Sequence, residues 1–123
     1  MSEQTRQALR PRVGGVLTAN IASEIKRLKD GPEWASGDRH AVSLVKDDAL
    51  NLMLMVLKAG ASLHEHHTKG PIAIGVISGS VRFSIGDDQR VVSGGELVAL
   101  DRGIPHRLEA LEESAVILIA AIE

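Results

Sequence analysis

From residue 40 onward the chain is a succession of short runs of β-branched and aliphatic residues, each closed by turn chemistry. The runs are Ala41–Lys46, Asn51–Lys58, Ile72–Ile77, Val81–Ile85, Arg90–Val92, Glu96–Leu100, Arg107–Leu111 and Ala115–Ile122. Between them stand Asp47–Asp48, Gly60, Gly70–Pro71, Gly79, Gly86-Asp87-Asp88, Gly94–Gly95, Gly103 and Glu112–Glu113. Eight short strands at a spacing of about ten residues predict an all-β sandwich or barrel. Within Val81–Ile85 the apolar residues Val81, Phe83 and Ile85 alternate with Arg82 and Ser84, so one face is dry and the other wetter.

Residues 1–39 read differently, as an arm and a short helix packing on a barrel domain of residues 40–123. The first 16 residues are polar, with Pro11 and Gly14–Gly15, and read as a loosely held arm. Asn20 can cap a helix in which Ile21, Ile25 and Leu28 share a face. Gly31–Pro32 is expected to stop it, and Trp34 to pack over one end of the main body.

Two strands do not alternate. Leu52–Leu57 and Val116–Ile122 are apolar on both faces, and a strand dry on both sides needs cover on both sides. The helix can cover one stretch. A second copy of the chain is expected to cover the rest, which predicts a homodimer.

Composition removes several function classes. At 123 residues the chain has room for one ordinary domain. Its net charge of −2 provides no basic field for nucleic acid or an anionic membrane. Aromatics are 2%, with no Tyr, so stacking platforms and tyrosine acid chemistry are absent. There is no Cys, which excludes disulfides, thiol nucleophiles and zinc ribbons and is compatible with the cytoplasm, where we place the chain. The N-terminus has no apolar core of a secretory signal, and Ala115–Ile122 is far short of a membrane span.

Histidines carry the chemical signal. Of five, four lie in two segments, His64-Glu65-His66-His67 and Gly103-Ile104-Pro105-His106. Imidazole is the commonest nitrogen ligand for first-row metals. In a regular strand His64 and His66 point to the same face, and His67 to the other unless a bulge intervenes.

The stretch Gly95 to His106 resembles the second signature motif of the cupin superfamily: Gly95, Gly103 and His106 fall at its spacings, with Asp101 where proline is usual. The first motif is matched in part. Anchored on Gly60 and Gly79, it makes His66 the first ligand and places Thr68 at the second histidine and Ile72 at the glutamate. Anchored on His64 and His66, it keeps both histidines and still finds no glutamate.

The resemblance covers about residues 40 to 123 and implies a double-stranded β-helix, or jelly roll. It also implies a manganese, iron or nickel site of three histidines and a glutamate. Lacking the glutamate, this chain would resemble the cupin oxygenases that use three histidines, here His64, His66 and His106. The ion would be a divalent transition metal (Fe, Mn, Ni, Co or Zn). Glu65, His67, Thr68, Ile72 and Arg82 are further pocket residues. The strand arginines Arg82 and Arg107 read either as a carboxylate clamp in a polar pocket or, as is commoner, as solvated surface residues.

The expected function is a His-lined pocket that binds a divalent metal and a small molecule, with dioxygenase- or isomerase-like chemistry. The alternative is a metal-free module that binds or senses a small molecule without catalysis. The thiol dioxygenase and epimerase branches are disfavoured because the chain has no Tyr.

Overall fold

The computed structural model describes residues 5–6, 15–66 and 69–121, with the backbone alone at 5, 6, 65 and 66. The rest of the expected arm, residues 1–4 and 7–14, and the end of the last run, Ile122, lie outside them.

The elements in chain order are β1 (Thr5–Arg6), α1 (Ile21–Lys29), α2 (Pro32–Ser36), β2 (Arg39–Lys46), β3 (Leu50–Leu57), β4 (Ser62–His66), β5 (Ile72–Ser78), β6 (Ser80–Ile85), β7 (Asp88–Ser93), β8 (Leu97–Leu100), β9 (His106–Ala110) and β10 (Ser114–Ala121). All eight expected runs are strands, and the His64–His66 segment adds another. No helix among the described residues is long and apolar enough to cross a membrane.

The strands form two sheets, one of six strands in the order β1-β2-β3-β10-β5-β8 and one of four in the order β4-β9-β6-β7. Apart from the parallel β1–β2 contact, the pairs are antiparallel. The inner faces enclose one apolar cluster that includes Met55, Leu57, Leu63, Ile74, Val81, Phe83, Leu108 and Val116. This is the double-stranded β-helix.

Helix α1 starts where Asn20 permits it. The Asn20 side-chain oxygen accepts a 2.9 Å hydrogen bond from the Ser23 N–H, satisfying one of the donors that a first helical turn leaves without a partner. Lys26, Arg27 and Lys29 in the last turn complement the helix dipole. Gly31–Pro32 ends α1 as expected, but Pro32 also opens α2. Its fixed φ suits a first helical position, where no N–H is needed.

The helix covers the outer face of the six-stranded sheet. Leu28 joins Val42, Leu44, Leu54, Val56 and Ala115 in a second apolar cluster, with Ile21, Ile25 and Trp34 packed against it. The two dry faces of β3 are thus explained: Met55 and Leu57 face the barrel, while Leu54 and Val56 face α1. Two polar fastenings hold the helix down. Buried His40 donates from Nδ1 to the Leu28 carbonyl at 2.9 Å, and Lys29 Nζ lies 2.6 Å from Glu113 on the β9–β10 turn. Trp34 lies beneath Lys58, whose ammonium is 5.0 Å from the ring centroid.

Candidate functional site

The barrel interior is tight at one end and looser at the other. Residues that share cross-strand registers form rows across the six-stranded sheet. The Met55–Val116–Val76 row is fully buried. The next row, Met53–Leu118–Ile74–Val98, and the last, Asn51–Ala120–Ile72–Leu100, contain five of the six partly buried members of the cluster: Met53, Leu118, Val98, Ala120 and Leu100. The interior therefore opens toward the second of these rows.

His106 enters from the facing sheet. Gly103 has φ 75°, a conformation that favours a residue without Cβ, and Ile104–Pro105 leads directly into β9. Along β9 burial alternates, with His106, Leu108 and Ala110 inward and Arg107 and Glu109 outward. His106 is 1% exposed and stacks on Phe83. Its Nδ1 is 2.9 Å from the Ile104 carbonyl, which can only accept. Nδ1 therefore carries the proton, and Nε2 is left as an acceptor or ligand atom.

The other sequence candidates are distributed differently. Leu63 pairs with Leu108, so regular pairing would set residue 65 opposite His106. Instead the register shifts, and His66 becomes the Cα partner of His106. One extra residue in β4, a β-bulge, produces this shift. His64, before the bulge, is exposed and lines a hollow on the outer face of the four-stranded sheet. The structure therefore keeps His64 and His106 on opposite faces.

Arg82 is also on the outer face, where it pairs with Glu109 at 2.9 Å. Ile72 is 6% exposed within the apolar cluster. His67 and Thr68 lie outside the described residues, as do the side chains of Glu65 and His66.

These placements bear on the metal that the resemblance implies. Among the described residues no group of three or more His, Asp or Glu is arranged to hold a metal ion. One described imidazole, that of His106, faces the interior. The position aligned with the family's glutamate in the glycine-anchored register is the aliphatic Ile72. The described donor set does not fit a three-histidine, one-carboxylate centre.

Asn51 was not singled out in the sequence. It falls on the inward side of β3, in step with Met53 and Met55, in the open-end row. Its Oδ1 is buried and has no hydrogen-bond partner among the described residues. The available signal was a carboxamide inside an otherwise aliphatic strand, Leu50–Leu57.

Comparison with known proteins agrees with this architecture. The family profile described as Cupin domain matches residues 53–122, and the chain belongs to the cupin superfamily. No curated protein matches the sequence. Among solved structures, a conserved protein of unknown function from Streptococcus pyogenes is 23% identical with a TM-score of 0.68, covering 72% of this chain and 77% of that one. A cupin 2 conserved barrel domain protein from Leptotrichia buccalis is 26% identical with a TM-score of 0.67, covering 73% of this chain and 44% of that one. A variant of oxalate decarboxylase from Bacillus subtilis is 28% identical with a TM-score of 0.57, covering 62% of this chain and 22% of that one.

Proposed function

We propose that this cupin binds one compact, mostly apolar small molecule at the open end of its barrel, without a metal, through hydrogen bonds to His106 and Asn51. The observation that carries the reading is a buried, tautomer-fixed imidazole facing an interior that, among the described residues, is apolar apart from Asn51. Apolar surroundings favour an apolar body, and a few placed polar groups orient it. Nε2 of His106 and Oδ1 of Asn51 are both acceptors, so the matching ligand carries hydroxyl or amine donors. The oxalate decarboxylase corresponds to this chain over less than a quarter of its length, and its activity is not carried over.

A second reading, a divalent transition metal at the same mouth, is favoured by the bulge that makes His66 the cross-strand partner of His106. Protein purified without chelator or affinity tag separates the two. The metal-free reading expects substoichiometric metal and no thermal shift on adding Fe, Mn, Ni, Co or Zn. It also expects stabilisation by small neutral alcohols or amines. Stoichiometric metal that is lost in His106→Ala would replace it with the second reading.

We further propose that the protein works as a homodimer. The outer face of the six-stranded sheet beyond α1 exposes Ile77, Leu97 and Ile119, with the smaller Ala73 and Ala99 beside them in register. A second copy supplies the cover that the helix does not reach.

A further inference from the structure

The outer face of the four-stranded sheet carries a hollow of about 610 Å³, lined by Ser62, His64, Arg82, Ser84, Gln89, Arg107 and Glu109 among others. It lies on the opposite side of the sheet from His106. Two rows of side chains cross it. In the first, Ser62, Glu109 and Arg82 are successive cross-strand partners, and the Arg82–Glu109 ion pair at 2.9 Å cancels the charge.

The second row is different. Arg107, Ser84 and Gln89 are successive cross-strand partners on β9, β6 and β7. Among the described residues none of their side chains has a hydrogen-bond or ion-pair partner. Ser84 is only 5% exposed, so its hydroxyl is withdrawn from bulk water while lining the hollow. A guanidinium, a hydroxyl and a carboxamide thus stand side by side with no acceptor supplied among the described residues.

We propose that this row is a binding site for a small oxyanion, the carboxylate or phosphate group of a small molecule. Arg107 offers the forked pair of N–H donors that matches two oxygens of such a group. Ser84 and Gln89 add neutral donors at the next two strand positions. The neighbouring Glu109 does not oppose the anion, because its charge is committed to Arg82.

The test is an NMR titration of the ¹⁵N-labelled full chain with sodium phosphate and, separately, sodium acetate, with ionic strength held constant by sodium chloride. The proposal expects saturable shifts confined to residues 62–64, 82–84, 89 and 107–109 with at least one of the two anions. Saturation by phosphate alone, or by acetate alone, supports the site and names its preferred oxyanion. Arg107→Gln is expected to weaken binding by about tenfold or more, and Ser84→Ala by a smaller factor. Lys46→Gln removes the same charge from an exposed position on the other sheet and is expected to leave affinity unchanged. Three results would overturn the proposal: shifts that stay linear with both anions, an Arg107→Gln variant that binds as the wild type does, or equal weakening by Lys46→Gln.

Discussion

The imidazole of His106 stacks on the ring of Phe83, with centroids 5.4 Å apart and planes 14° from parallel. The stack and the Nδ1 bond to Ile104 hold the ring from two sides, which fixes the direction of Nε2. His106→Phe keeps the volume and the ring contact and removes both the Nε2 acceptor and the Nδ1 donor to the part-buried Ile104 carbonyl. Chemical denaturation is expected to show a loss of about 1–2 kcal/mol from the missing donor. Stabilisation by neutral alcohols or amines, read by thermal shift, is expected to disappear.

Asn51 leaves a buried acceptor without a donor among the described residues. An orphaned buried polar group costs stability, and its replacement by an apolar group of similar shape removes that cost. Asn51→Leu is therefore expected to stabilise the protein by about 1 kcal/mol and to weaken ligand binding. Denaturant midpoints and the same thermal-shift series check both halves.

His40 joins α1 to β2 through the Leu28 carbonyl. His40→Leu fills most of the space but leaves that carbonyl buried without its donor, at an expected cost of about 1–3 kcal/mol. Hydrogen exchange should report faster opening of α1 amides with little change in β9 or β10. His40→Gln, which retains a donor, should recover part of the loss.

Gly79 has φ 86°, and a Cβ built there would collide with Ser114 Oγ, the Glu113 carbonyl and, at 2.7 Å, Ser114 Cα. Ser114 cannot withdraw easily. It is 1% exposed, accepts from the Ser80 N–H and donates its one hydroxyl proton to the Glu112 carbonyl at 2.8 Å, with the Ser80 carbonyl at 3.2 Å as the other acceptor in reach. Gly79→Ala combines a left-handed backbone penalty with overpacking, for an expected loss of about 2–4 kcal/mol. A denaturation curve measures it. Gly86→Ala, also at positive φ but in open space, should cost less.

Leu97 is 67% exposed on the face proposed to receive a second copy. Leu97→Glu places a charge there without disturbing the barrel core. Light scattering at micromolar concentration should show the wild type as a dimer and this variant as a monomer with an unchanged far-ultraviolet circular dichroism spectrum. A monomeric wild type would end the dimer proposal.

Local chemistry made much of the molecule legible before its structure. Turn residues between short aliphatic runs located the strands, because Gly and Asp favour turns over pleated backbone. Asn20 announced α1 by its capping side chain, and the spacing of Gly95, Gly103 and His106 identified the family. In β6 the inward residues were legible from alternation alone, since Val81, Phe83 and Ile85 face inward together.

The face taken by each histidine was settled only by tertiary structure. In a strand, orientation depends on parity, and a single inserted residue reverses it. Nothing in His64-Glu65-His66 reveals the bulge that pairs His66 with His106 while His64 faces the outer hollow. The same holds for Asn51, whose oxygen is isolated by neighbours distant in sequence, and for the Arg107–Ser84–Gln89 row, assembled from three strands. Sequence fixes what each segment prefers to be, because those preferences arise within a few residues. Which side chains meet depends on register between distant strands, which is set when the two sheets close on one another.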